Sequence, residues 1–209
     1  MKWKTFIYDK KLAVQFFITL IVLIILLYFF PKFLAGVELR EGVTLPDPFL
    51  AAFKAIDLTW LTFSLIYLSL IIALITFIPN PVTLMKALQC YSLMLLIRSL
   101  VMYVTPFNAP AGIILLNDPF VQFFGSGRIL TKDLFFSGHT ATLFLLFLLS
   151  GNKVLKIIFL LSTFIVGIAV LLQHVHYSVD VIAAPFFAYG CFRFVILLFE
   201  RLNKNLSKV

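Results

Sequence analysis

The side chains with chemistry to offer are His139, His174, His176 and Asp180, the last two standing four positions apart. On a helix, positions 176 and 180 share a face. The spacing therefore predicts a hydrogen bond from the Nδ1–H of His176 to the Asp180 carboxylate, with Nε2 left free. An imidazole held in one tautomer this way is a nucleophile, a general base or a metal ligand. The other groups suit phosphoryl transfer. A neutral His176 would attack a phosphodiester while Asp180 stabilises the developing imidazolium, and a protonated His139 would give its proton to the leaving alkoxide and then act as base for an acceptor. Arg98 would neutralise the non-bridging oxygens, and Ser137-Gly138 at a helix start would offer backbone N–H groups to the anion. Zinc is the competing reading. His174 and His176 point to different faces of any helix holding both, and the chain has neither an HExxH motif nor a cysteine pair at ligand spacing, so no metal or other cofactor is expected.

The elements that must position these groups are membrane helices. Of 209 residues, 62% are hydrophobic and 12% charged, whereas a soluble domain carries about 25% charged residues. The net charge of +8 would suggest nucleic acid in a soluble protein, but here the cations flank apolar runs and set topology instead. The sequence predicts an all-α membrane protein with six transmembrane helices and both termini cytoplasmic. The first apolar run, 12–30, has spanning length and no cleavage site after it, and Pro31 is expected to close it. Further spans are expected at about 58–78, 83–104, 137–149, 154–172 and 177–199, with Pro79-Asn80-Pro81 as a tight turn. The residues between them divide into a cytoplasmic amino terminus (1–11), an outer loop (31–57), a second outer loop (105–134) and a cytoplasmic tail (200–209).

Within the first outer loop, Asp47-Pro48 has the form of a helix start, and the following PFLAAFKAI reads as a short interfacial helix. The second outer loop holds Gly125-Ser126-Gly127, Arg128, Lys132 and Asp133. Cys90 and Cys191 sit in apolar runs and read as small buried hydrophobes. With the amino terminus inside, ten cations, among them Lys86, Lys153, Lys204 and Lys208, fall on the cytoplasmic side against five outside. The same topology carries Asp47, Asp57, Arg98, Asp133 and all three histidines to the outer rim. Channels and transporters place such groups at the midplane instead.

Four stretches carry a resemblance: Leu45-Pro46-Asp47; Arg98 with Met102-Tyr103-Val104-Thr105; Asp133-Leu134-Phe135-Phe136-Ser137-Gly138-His139-Thr140; and His174-Val175-His176-Tyr177-Ser178-Val179-Asp180-Val181. In order and content they resemble the four motif blocks of the sphingomyelin synthase family, over about residues 45–195. The resemblance implies six spans and an exoplasmic or periplasmic active site. It also implies a His-His-Asp triad that moves phosphocholine or phosphoethanolamine from a glycerophospholipid to ceramide through a phosphohistidine, releasing diacylglycerol. Carried over by motif position, the triad is His139, His176 and Asp180, with His176 as nucleophile. The substrate-binding set is Arg98, Tyr103, Asp133, Ser137, His174 and Asp57, the last standing in for an acidic residue of the family at a different spacing. The partners implied are a phospholipid donor and a lipid alcohol acceptor in the bilayer.

The chain departs from the family at Thr131-Lys132, where the pattern has Cys-Gly, and its connection from Thr105 to Asp133 is short. The related type 2 phosphatidic acid phosphatases share the SGH and HxxxD cores. Their pattern places a proline before SGH and an arginine six residues before the second histidine, positions held here by Phe136 and Val170. That favours the transferase branch, with a lipid phosphatase or phospholipase C-type hydrolase as the alternative, and a non-catalytic lipid-binding protein as the alternative outside enzymes. Phe135, Phe136, Pro185, Phe186 and Phe187 are expected to wall the site against water. Small size and the lack of a soluble domain point to a bacterial inner membrane.

Overall fold

The computed structural model describes residues 1–116 and 130–203. Gly125-Ser126-Gly127, Arg128, Lys204 and Lys208 lie outside the described residues. The Asp9 carboxylate accepts the N–H groups of Lys11 and Leu12, which separates a short helix α1 (Trp3–Tyr8) from a long one, α2 (Lys10–Glu38). Pro31 does not close α2, contrary to the expectation from sequence; the helix runs seven residues further, to Glu38. A proline forfeits one helical hydrogen bond, but unwinding the backbone in a lipid-facing segment would strand several groups with no water to receive them. The loop that follows α2 therefore begins at residue 39.

That loop holds a single 3-10 turn, Leu50–Ala52, where the sequence suggests a longer interfacial helix. Asp47 caps the N–H groups of Phe49 and Leu50 (3.1 and 3.3 Å) and starts the turn. Phe53 then goes extended, and the Ile56 N–H is taken by the Leu172 carbonyl at 2.9 Å, so the chain is drawn out against a neighbouring helix end instead of coiling.

The remaining helices are α3 (Thr59–Phe77), α4 (Pro81–Val104), α5 (Gly138–Leu149), α6 (Lys153–Leu172) and α7 (Ser178–Leu202). Among the described residues, α2, α3, α4, α6 and α7 are long and apolar enough to cross a bilayer, and no strand is formed; the chain is an all-α, multi-pass integral membrane protein. Helix α5 is apolar but has only 12 residues, about 18 Å against a hydrocarbon core of about 30 Å. Asn80, with Pro81 at the first helical position, starts α4, and Asn152 caps α6 through the N–H groups of Val154 and Leu155.

Successive helices alternate in direction. At one end of the bundle the Trp3 Nε1–H donates to the Ile78 carbonyl (2.6 Å), and Lys11 donates to the Leu202 carbonyl, so the start of α2 and the end of α7 meet there. At the other end meet the end of α2, the starts of α3, α5 and α7, and the ends of α4 and α6. Helix α5 lies against α3, α4, α6 and α7. Lipid supplies no hydrophobic drive between helices, so close approach through small side chains does that work. Cys90 on α4, Ala141 on α5 and Ala184, Ala188 and Cys191 on α7 are all buried in one cluster, with both thiols free. The centrally packed α5 is thus the element that carries His139.

Candidate active site

The turn between α6 and α7 ties the site together residue by residue. Gln173 is fully buried; its Oε1 accepts the Leu58 N–H (3.2 Å), and its Nε2 donates to Thr59 Oγ1 (2.8 Å) and the Ile114 carbonyl (3.3 Å). His174 adopts a left-handed backbone (φ 56°), donates Nδ1–H to the Ala111 carbonyl (3.0 Å) and packs edge-on against Phe53. A left-handed non-glycine residue is uncommon, and here it turns the chain back over the bundle. Next come His176 and Tyr177, the latter the N-cap of α7.

His176 therefore lies before the helix, not on it. The expected bond to Asp180 forms all the same, with Nδ1 3.2 Å from Oδ2 and both side chains essentially inaccessible. The route differs from the helical stacking expected. Asp180 is at the third helical position and reaches back to its own N-cap, where Oδ2 also accepts the Tyr177 N–H (3.1 Å). A carboxylate already committed to the helix terminus is a rigid partner, and it leaves the Nε2 of His176 as the chemically available nitrogen.

Ser137 caps α5 in the opposite sense, as the N-cap residue itself accepting the Thr140 N–H (3.4 Å), and its own N–H donates to the Asp180 carbonyl at 3.0 Å. The two motif turns are thus bonded directly to each other. His139, two residues into α5, faces His176 with ring centroids 6.1 Å apart at 64°, and packs against Phe63 of α3 on its other side (6.0 Å).

Arg98 is 5% exposed on α4. Its Nε and Nη2 donate to Asp133 Oδ1 (3.2 and 2.5 Å), and Nη2 lies 3.4 Å from the Asp133 carbonyl. Burial alone would raise the Asp133 carboxyl, but Arg98 outweighs it, with smaller help from His176 and His139, and holds it below the ordinary value. The guanidinium lies across the first turn of α5: a Cβ on Gly138 would sit 1.7 Å from Nη1. Gly138 is required by this close approach. Phe136 lies 5.7 Å beneath the guanidinium and stacks on Phe187 (4.6 Å), with Phe135 edge-on to the same ring. Phe186, by contrast, faces outward and is 74% exposed.

The structure thus unites His139, His176, Asp180, Arg98, Asp133 and Ser137 in one network. Tyr103, His174 and Asp57 have other partners. Tyr103 is exposed at the end of α4, with the Arg40 guanidinium 4.8 Å over its ring and Arg40 Nη1 donating to its carbonyl. His174 is pinned to Ala111 as described. Asp57 caps α3 through the Thr59 N–H (3.0 Å), a bond that lowers its carboxyl, and lies at one end of an open groove of about 480 Å³ running along α3 past Trp60, Phe63 and Tyr67. Phe63 connects that groove to His139. The departing pair Thr131-Lys132 is bound by Glu38, whose carboxylate accepts both backbone N–H groups (2.9 and 3.0 Å) and the Thr131 hydroxyl, so the end of α2 fixes the segment leading into Asp133.

Sequence reasoning missed Glu38, Gln173 and Tyr177 as supports. The Tyr177 hydroxyl donates to the Asn108 carbonyl (2.9 Å) and accepts the Leu45 N–H (3.2 Å). Its position between the paired His176 and Asp180 was the available signal. Asp47 opens only a 3-10 turn where the sequence suggests a helix start, and it also bonds Ser178 at the start of α7: Oδ2 accepts the N–H (2.7 Å) and Oδ1 the hydroxyl (3.1 Å). Burial opposes the charge on Asp47, but the bonds from Ser178, Leu50 and Phe49 prevail and keep its carboxyl low.

No curated protein matches the chain. Residues 132–197, which hold the triad, Asp133 and Ser137, match the family model described as PAP2 superfamily C-terminal, and this similarity supports a lipid phosphatase or phosphotransferase type of function.

Proposed function

We propose that the protein is a lipid phosphotransferase of the sphingomyelin synthase type. The observation that carries the reading is the pair of facing imidazoles, one held by Asp180 and the other at a helix start crossed by Arg98. His176 Nε2 attacks the phosphorus of a glycerophospholipid, the phosphorus–oxygen bond to diacylglycerol breaks, and His139 gives its proton to that oxygen. The product is a phosphohistidine whose positive ring is stabilised by Asp180. His139, now neutral, takes the proton of a lipid hydroxyl such as that of ceramide. The resulting oxygen attacks phosphorus, and the phosphorus–nitrogen bond returns its electron pair to Nε2. Arg98 and the first turn of α5 face the non-bridging oxygens.

The remaining substrate-binding residues take roles around this centre. Ser137 and Asp133 hold the anion site in place, while Asp57, at the mouth of the α3 groove, meets the cationic head group. His174 and Tyr103 bound the loops around the site. In this reading α5 is a sixth, short pass, both termini are cytoplasmic, and the site opens on the exoplasmic or periplasmic side; a carboxy-terminal reporter active only outside refutes that orientation. The likeness to the PAP2 model favours a second reading on the same triad, with water as acceptor.

Purified protein in phosphatidylcholine and phosphatidylethanolamine vesicles separates the two. Transfer predicts diacylglycerol and a new sphingophospholipid when ceramide is supplied, abolished by His176→Ala. Release of phosphocholine or phosphoethanolamine regardless of ceramide, or activity confined to phosphatidic acid, refutes the transferase reading.

A further inference from the structure

Two helix amino termini meet beside the facing imidazoles, those of α5 and α7, and each presents an electropositive field and N–H groups to an anion. They are furnished differently. The first turn of α7 already holds two carboxylates: Asp180 on the Tyr177 N–H, and Asp47 on the Ser178 N–H. The first turn of α5 carries no acidic residue and is crossed by the Arg98 guanidinium.

Asp47 divides its oxygens between two elements. Oδ2 accepts the Ser178 N–H at 2.7 Å; Oδ1 accepts the N–H groups of Phe49 and Leu50 as well as the Ser178 hydroxyl. Around it, the Leu45 N–H reaches the Tyr177 hydroxyl, which donates to the Asn108 carbonyl, and Asn108 N–H in turn donates to the Val43 carbonyl (3.0 Å). Leu50 and Tyr177 are buried together with Leu134, one residue from Asp133. Ser178 stands two residues after His176 and two before Asp180, so a shift at Ser178 displaces both members of the pair.

We propose that Asp47 is a positioning residue that acts through Ser178: it sets where the His176–Asp180 pair stands relative to His139. This rests on His176 being the nucleophile, as proposed above.

The test is a set of variants in vesicles of the donor lipid, scored for kcat, KM, phosphohistidine formation and fold by circular dichroism. Asp47→Asn keeps the shape but only one acceptor oxygen: held on its own turn, that oxygen keeps the Ser178 hydroxyl while the Ser178 N–H loses its acceptor; Asp47→Ala serves neither. Ser178→Ala removes the hydroxyl contact alone and should lose less than either. An ångström-scale displacement of a catalytic group lowers the rate by about 100-fold, so kcat should fall on the order of 10- to 100-fold in Asp47→Asn and further in Asp47→Ala, with KM little changed. A readout independent of the reaction is the rate at which diethyl pyrocarbonate modifies His176, followed by peptide mass spectrometry, which should rise in the Asp47 variants. A folded Asp47→Asn with wild-type kcat and wild-type His176 reactivity overturns the proposal, and so does a change confined to KM, which would mean contact with substrate. Should Asp47→Ala fail to fold, Asp47→Asn and Ser178→Ala still decide. Retention of phosphoryl transfer by His176→Ala would instead remove the catalytic reading, while the modification rates would still report whether Asp47 positions His176.

Discussion

Gly138→Ala isolates the relation between Arg98 and the start of α5. The added Cβ would stand 1.7 Å from Nη1 and 2.6 Å from Cζ, whereas ordinary contact begins at 3.4 Å, so the guanidinium must move by roughly 3.4 − 1.7 = 1.7 Å. Because the clash is with the far end of a flexible side chain, the helix can stay in place, and the stability loss should remain within the roughly 1–3 kcal/mol of ordinary overpacking. The displaced cation is the larger effect. Its bonds to Asp133 Oδ1 at 2.5 and 3.2 Å cannot both survive such a movement. A catalytic cation displaced by more than an ångström lowers the rate by about 10²-fold, about 2.7 kcal/mol at 1.36 kcal/mol per decade.

The decisive assay is a double-mutant cycle. In a background of Arg98→Met with Asp133→Asn, which removes the guanidinium without stranding a buried carboxylate, Gly138→Ala should have almost no further effect on kcat. The coupling should then approach the whole of the single-variant loss. Additive losses, or a folded Gly138→Ala with wild-type kcat, would refute the claim that glycine is required there by Arg98.

Asp180→Asn should preserve the bundle yet lower phosphohistidine formation by orders of magnitude, since the amide favours the wrong imidazole tautomer; labelling at the wild-type rate would show that the pair does not orient His176. Asp133 has a depressed carboxyl, so its stabilising contribution is complete above about pH 4 and is lost as pH falls through the lowered value. The gap in thermal midpoint between wild type and Asp133→Asn should therefore close on acidification, and a gap that widens contradicts the ion pair. Among the described residues no group of three or more His, Cys, Asp or Glu side chains is arranged around a metal position, so activity should survive EDTA and phenanthroline. A loss restored by zinc would turn the histidines into ligands.

What the sequence made legible was whatever local periodicity and end signals encode. The expected limits of four spans lie within about three residues of α3, α4, α6 and α7, because apolar length together with Asn80-Pro81 or Asn152 bounds them and no distant partner is needed. Pro31 misled because the rule that proline ends a helix assumes water is there to receive the freed backbone groups, whereas Pro31 is exposed on an apolar helix of spanning length. The His176–Asp180 contact was legible for a reason only partly correct. Four positions separate His176 from Asp180 whether the two stack on a helix or close across its cap, and the structure uses the cap. Nothing periodic pointed to the supports. Glu38 holds Thr131 from 93 positions away, Asp47 holds Ser178 from 131, and Tyr177 reaches Asn108 over 69. Each joins a loop to a helix end, where side chains choose partners by geometry that exists only once the bundle has formed. The Arg98–Asp133 pair spans 35 positions, and nothing local joins the two: by sequence Arg98 alone is assigned to the non-bridging oxygens, and Asp133 stands only in the substrate-binding set. In the folded chain one neutralises the other, so a phosphate reaching Arg98 must compete with a carboxylate already bonded to it. That competition makes Asp133 as much a limit on anion affinity as a support for the site.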